Sequence, residues 1–421
     1  MMKRKSDGAL VLVLLGVALS GESALADTLQ QEVERLQQRL ETLEGQAGLE
    51  GASPGAERSR SDEQDDEVQG DAEIHIGGAL RFNLVHRDFN DASENRYGES
   101  GLDVFRFNID GSIDDVLLSV EYRFYSYMHV LKHGWIGYQF ADDSQLQFGI
   151  NQIPFGLLPY AAHNSWFGVP YYVGLGDNYD MGIKYQRQDG PWGLHLGFYK
   201  NEEFADAGTL DRYAFDLVRV TDDDAGINQQ NEKVNQFNYR GGYTFGLGSG
   251  CETELALSGQ AGQLYNHQTD ASGDHWAAAL HIDSRCGRWG FQLQGASYQF
   301  NPENPEGVSD EVVRVGAFGG SYDIDADADI AVANIAYNFN PRWDRIDQFI
   351  CYNDYSQLLK SIDGAEDSRI NTTGCAIGSG PLFVYLDHIY ARNMAFLDGD
   401  MAGGGDDRWR RRININVGYY W

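Results

Sequence analysis

From about Asp71 to the C-terminus the chain alternates apolar and polar residues. Leu80-Arg81-Phe82-Asn83-Leu84 and Phe105-Arg106-Phe107-Asn108-Ile109 show the pattern, as do Tyr122-Arg123-Phe124 and Trp192-Gly193-Leu194-His195-Leu196-Gly197-Phe198. The chain closes on Ile413-Asn414-Ile415-Asn416-Val417-Gly418-Tyr419-Tyr420-Trp421. Period two puts alternate side chains on opposite faces of a strand. These segments therefore predict strands with one apolar, aromatic face and one polar or glycine face. In a soluble sandwich the apolar face points to a core; in a large closed barrel it points to lipid.

Connection lengths separate the two. Short turns fall near residues 111–114, 141–144, 187–191, 246–250, 284–288, 340–344 and 378–381. The alternate connections are mostly long: 86–100, 151–178, 201–232, 266–274, 301–328, 360–368 and 395–407, with one tight exception near 128–130. Eight outer loops and seven inner turns predict an all-β, sixteen-stranded antiparallel transmembrane barrel with both ends on the periplasmic side. Val312–Tyr322 also looks β-like, and Tyr213–Val220 less clearly so. Both are placed inside long loops; as wall strands they would raise the count to eighteen.

The N-terminal segment adds export. Lys3, Arg4 and Lys5 precede the apolar stretch Leu10–Leu19, and Ala24-Leu25-Ala26 is a small-x-small cleavage pattern. This is the layout of a removable signal peptide, residues 1–26, with Asp27 beginning the mature chain. Leu29, Val33, Leu36, Leu40 and Leu43 alternate in spacings of four and three, the seam of a short coiled coil over residues 27–45. Two or three heptads are marginal alone, so the seam suits chains already held together, as in a homotrimer. Residues 46–70, rich in Gly, Ser, Asp, Glu and Gln, read as a disordered periplasmic linker.

Composition narrows the function. The mean hydropathy is −0.45, and no later apolar run approaches a membrane helix. Yet there are 24 Tyr, 21 Phe and 8 Trp, the aromatic load expected of interfacial girdles in an outer-membrane lipid environment. The net charge of −31 leaves no basic groove and excludes nucleic acid as a partner.

Four cysteines test the topology. Cys351 and Cys375 lie symmetrically about Asp363, and Cys251 and Cys286 flank the 266–274 loop. In the predicted hairpins each pair faces across neighbouring strands, so two disulfides are expected in an oxidising compartment.

Gly149-Ile150-Asn151-Gln152-Ile153-Pro154-Phe155-Gly156 resembles the G-x-x-x-x-P-F-G segment of the phosphate-selective porin O/P-like family. The resemblance implies a signal peptide, often a short coiled coil, a sixteen-stranded barrel and trimeric assembly, and it runs along nearly the whole chain. The motif opens the third outer loop, Asn151–Asn178, which carries Pro154, Phe155, Tyr160, Trp166, Phe167 and Tyr171. A loop this apolar is expected to fold inward and narrow the pore; the alternative is packing at a subunit interface or over the mouth. It contains no Lys or Arg, a departure that puts specific phosphate binding in doubt.

Charge placement supplies the candidate site. Arg81, Arg106, Arg123, Arg410 and Arg412 occupy the polar phase of the first, second, third and last strands, which become neighbours on closure. They are expected to form one luminal patch near mid-height that guides small anions, since guanidinium binds carboxylate or phosphate in a forked geometry. Glu121 and Asp110 share that wall and set the opposing expectation of a salt-bridged lining without selectivity.

Other chemistry is thin. His129, His133, His163 and His195 stand without a G-x-S-x-G, an H-E-x-x-H or a Ser-His-acid grouping, so neither an enzyme nor a cofactor is expected. Asp323, Asp325, Asp327 and Asp329 alternate in an outer loop but lack the Gly and Glu of a calcium loop, and read as a solvated acidic segment rather than a metal site. The sequence thus points to a passive pore for small polar solutes or inorganic anions; the alternative is a structural or adhesin-like barrel.

Overall fold

A computed structural model describes residues 72–222, 227–339, 343 and 345–421. The expected signal peptide, coiled coil and linker lie outside the described residues.

The wall begins with β1 Ala72–Arg87, β2 Glu99–Ile113, β3 Val116–Phe124, β4 His129–Gln139, β5 Gln145–Gln152, β6 Tyr179–Asp189, β7 Trp192–Glu202 and β8 Asn231–Phe245. It continues with β9 Cys251–Asn266, β10 Ser272–Cys286, β11 Trp289–Asn301, β12 Asp327–Asn338, β13 Gln348–Lys360, β14 Ser368–Ser379, β15 Leu382–Arg392 and β16 Arg410–Tyr420. Each strand pairs antiparallel with its sequence neighbours, and β1 closes the ring on β16 from Ala79↔Tyr420 to Arg87↔Arg412. The barrel has sixteen strands. Seven short turns lie on one rim and eight connections on the other, in the predicted alternation. The tight connection spans residues 125–128 rather than 128–130.

The two ambiguous β-like segments pair with each other instead of joining the wall. Val312–Ala317 and Gly320–Asp325 form a hairpin, and Asp216–Leu217 adds a third strand beside Val315 and Gly316. The wall therefore has no place for an eighteen-strand count.

Outward positions carry a belt of exposed large apolar residues, including Phe82, Ile136, Phe148, Leu196, Leu280 and Ile413. At the turn rim aromatic rings touch in series: Trp192 on Tyr243, Tyr243 on Phe245, Trp289 on Tyr337 and Tyr337 on Phe339, with centroids 4.7–4.9 Å apart. Such a continuous apolar band, bordered by amphipathic rings, is costly in water and matched to hydrocarbon.

The inner face is not uniformly polar. On β12 the inward residues include Ala328, Ile330 and Val332, whereas Asp327 and Asp329 point outward. Inward Leu264, Tyr298, Ile330, Leu358, Ile370 and Ile389 join one buried cluster with residues from four loops, 153–178, 203–230, 302–326 and 393–409. These loops fill the barrel beside β9–β15, and each large side chain so buried contributes about 1.5–3 kcal/mol. The acidic segment is corrected accordingly. Asp325 is only 2 % exposed and accepts from the Ser361 and Ile362 amides at 2.6 and 3.1 Å, and Asp323 pairs with Arg314 at 2.7 Å. Asp325 is thus a buried cap on a neighbouring loop, not a solvated carboxylate.

Both disulfides form as spaced. Cys251 is the register partner of Cys286 on β9 and β10, and Cys351 of Cys375 on β13 and β14. They close loops with sequence separations of 35 and 24, each adding about 3–4 kcal/mol in the chain-entropy account. Replacing all four cysteines with serine is expected to lower the thermal unfolding midpoint while leaving the barrel's circular dichroism unchanged. An unchanged midpoint would show that the strand ladders alone set the stability.

Candidate functional site

The motif that opens the third loop is built around two glycines with left-handed backbones. At Gly149 (φ +131°) a Cβ would sit 2.4 Å from the Gly134 carbonyl, and at Gly156 (φ +61°) 2.4 Å from Gln294 Oε1. Gly156 marks where the loop crosses the lumen to the facing wall. Its amide donates to Ser258 Oγ at 2.9 Å, its carbonyl accepts from Arg240 Nε at 3.0 Å, and the Leu157 amide donates to Gln294 Oε1 at 2.8 Å. Asn334 Nδ2 then donates to the Ala161 carbonyl at 3.2 Å.

Two carboxylates hold the next stretch. Asp354 on β13 accepts from the amide and Nδ1 of His163, both at 2.7 Å, and from the amide and Nδ2 of Asn164 at 3.0 and 2.8 Å. Asp387 on β15 accepts from Ser165 Oγ at 2.7 Å and from Tyr352 Oη at 2.5 Å. Past that point the Val169 amide donates to Ser356 Oγ. The Tyr171 hydroxyl donates to the Tyr213 carbonyl at 2.7 Å, and the Tyr322 hydroxyl to the Tyr172 carbonyl at 2.7 Å, tying the third loop to the fourth and sixth.

What the loops leave open lies against the opposite wall. A cavity of about 260 Å³ is bounded by Arg81 on β1, Asp103 on β2, Arg123 on β3 and Arg412 on β16. The third loop supplies Trp166, Phe167, Tyr171 and Tyr172. The tight connection supplies Tyr125 and Tyr127, the fourth loop Tyr213 and Phe215, and the sixth and eighth Phe318 and Phe396. Burial pushes the phenols of Tyr171, Tyr172 and Tyr213 above their ordinary range, so they stay neutral. A second cavity, of about 330 Å³, lies on the turn-rim side of the loop and is lined by Tyr160 and His163. Tyr160 meets Phe167 edge-on at 4.9 Å, so this ring pair stands between the two cavities.

The five predicted arginines share this wall but not one role. Arg81 Nε is 2.6 Å from Asp103. Arg106 and Arg123 are register partners that share Glu121, Arg106 at 3.7 Å. Arg123 also lies 4.3 Å from the Tyr213 ring centre. Arg410 is engaged by Asp398 at 3.1 Å and by both oxygens of Asp406 at 2.8 and 3.0 Å; neither it nor Arg106 lines either of these two cavities. Among the described residues Arg412 has no carboxylate partner. Its guanidinium sits 3.8 Å from the Trp166 ring centre, and it donates to Asn414 Oδ1 at 3.3 Å.

Several determinants are not visible in sequence. Asp103, Asp354 and Asp387 carry no motif, and the rings of the fourth, sixth and eighth loops reach the site only through folding of those loops. A single carboxylate in the inward phase of each strand, Asp354 between Tyr352 and Ser356 and Asp387 between Tyr385 and Ile389, was the one available signal.

Among solved structures, the chain is similar in fold to the outer membrane protein OmpT of Vibrio cholerae in its trimer form, at 15% identity over 83% of this chain and 99% of that one, with a TM-score of 0.52. It is similar to the outer membrane channel DcaP of Acinetobacter baumannii at 10% identity, covering 83% and 97%, with a TM-score of 0.56. It also resembles an anion-selective porin from Comamonas acidovorans at 12% identity, covering 83% and 100%, with a TM-score of 0.52. The architecture is that of a porin-type barrel. No family model and no curated protein matches the sequence.

Proposed function

We propose that the chain is a bacterial outer-membrane porin, a passive channel for small polar solutes with a preference for anions. The observation that carries this reading is the path of residues 153–178. They cross the lumen, bind side chains of β8, β9, β11, β12, β13 and β15, and leave a cavity along the arginine-bearing wall. In this reading the third loop constricts the pore at Tyr160 and Phe167, and Arg81, Arg123 and Arg412 set the sign of the field that ions meet. In the same reading the outward apolar belt lies in lipid and the turn rim faces the periplasm. Residues 1–26 are its removed signal peptide, and the 27–45 seam joins three subunits whose trimeric state matches the form described for the Vibrio protein.

No enzymatic role is proposed. Ser119 Oγ contacts both Asp110 at 2.7 Å and His133 at 3.0 Å. A nucleophilic serine needs the histidine between itself and the acid; here the serine is in the middle. The resemblance to phosphate-selective porins extends to the loop's opening motif but not to a basic third loop.

A structural barrel is favoured by one observation, the four loops packed together inside it. Planar-bilayer recording decides between them. Stable open conductance in steps of three supports the trimeric pore, and a silent, correctly assembled protein overturns it.

A further inference from the structure

The cavity along the arginine-bearing wall has a composition that an inorganic-ion path does not require. Ten of its seventeen lining residues are aromatic. Its charged lining residues are Arg81, Arg123 and Arg412 against the single carboxylate Asp103. A locally cationic site therefore stands inside a chain of net charge −31. Arg412 is only 8 % exposed and unpaired by any carboxylate among the described residues, and its Nε has no hydrogen-bond partner. Its Cζ lies over the Trp166 ring, 3.8 Å from the ring centre.

Inorganic phosphate suits such a place poorly. A small, strongly hydrated anion enclosed by rings loses water contacts that aromatic faces do not replace. A planar ring bearing one carboxylate uses both components: its oxygens take the fork of an arginine, and its faces and edges pack on the surrounding rings. Phe167 stacks on Tyr171 at 4.3 Å, with Phe215 edge-on to Tyr171 at 5.3 Å, so a ring-lined surface is already assembled. A volume of about 260 Å³ accommodates a single-ring acid and little more.

We propose that this cavity is a binding site for small aromatic carboxylates, with the carboxylate on Arg412 and the ring against the aromatic residues of the third and fourth loops. The proposal rests on the channel reading for its purpose, as the place where such a solute is collected before passing Tyr160 and Phe167, but not for its chemistry.

The test uses the detergent-purified full chain and sodium benzoate as probe, read by titration calorimetry and, separately, by benzoate-induced fluctuation of single-channel current. Benzoate is expected to bind saturably. Cyclohexanecarboxylate, which keeps charge and size but lacks the π face, should bind about fivefold more weakly, and benzyl alcohol about tenfold more weakly. Inorganic phosphate should show no saturable heat. Arg412→Ala should weaken benzoate at least about tenfold, and Arg412→Lys, which retains the charge without the fork, about threefold. Arg187→Ala, at the turn rim, should leave benzoate affinity unchanged. If Arg412→Ala does not assemble, the lysine variant carries the comparison.

Equal affinities for benzoate, cyclohexanecarboxylate and phosphate overturn the proposal, as does unaltered benzoate binding in both Arg412 variants. The two readings fail separately. Benzoate binding by a protein that never conducts sinks the channel and leaves the site; conductance without benzoate binding does the reverse.

Discussion

Replacing Asp354 and Asp387 together with alanine is expected to increase single-channel conductance by at least about twofold and to make the open current noisy. Asp354 alone accepts four hydrogen bonds from His163 and Asn164, and Asp387 accepts from Ser165. Hydrogen bonds to a charged acceptor contribute about 1.5–3 kcal/mol each. A loss of even about 4 kcal/mol across the cluster shifts the docked-to-undocked ratio of the loop roughly a thousandfold. Residues 161–169 would then leave the lumen for part of the time, and the Tyr160–Phe167 contact between the cavities would break. The sign is informative: a loop that merely decorates the mouth would leave conductance unchanged in a correctly assembled variant.

The second large effect concerns ion selectivity. Arg81→Glu with Arg412→Glu is expected to turn a preference for anions into one for cations, read as a change of sign of the reversal potential in a salt gradient. Two unit charges about 6 Å apart interact by roughly 0.7–3 kcal/mol at effective dielectric constants of 80 to 20. Each arginine lost and carboxylate gained therefore changes local ion occupancy several-fold or more. Arg410→Glu is the comparison. Asp398 and Asp406 already occupy its donors, and it lies outside the cavity wall, so its replacement should move the reversal potential far less. An unchanged potential in the Arg81, Arg412 double variant removes these residues from the ion path.

Much of the barrel was legible because a strand states its two faces in its own residues. Phe107-Asn108-Ile109 alternates in sequence, and its exposure alternates with it. The cysteine spacing was equally readable, since register fixes which residues face each other. Legibility ended where the loops fold inside. On β12, Ile330 and Val332 turn inward and belong to a buried cluster that includes residues of the third, sixth and eighth loops, which inverts the face a local reading assigns. Asp325 fails for the same reason: its partners are the amides of Ser361 and Ile362, remote in sequence. The five arginines could be grouped from sequence because their strands are adjacent on closure. That Arg410 is neutralised while Arg412 is left facing Trp166 depends on the eighth and third loops, and no spacing rule records it.

The uneven filling of the lumen bears on how such a protein can change over evolutionary time. Beside β9–β15 the inward residues behave as the interior of a soluble domain, where a polar replacement such as Val332→Asp should be purged. Along β1–β3 and β16 they face the open cavity instead. On the channel reading, variation that retunes what reaches the Tyr160–Phe167 contact is therefore confined to one arc of the wall and the ring-bearing loops opposite it, an off-centre bore whose other side is, at that level, committed to holding its own shape.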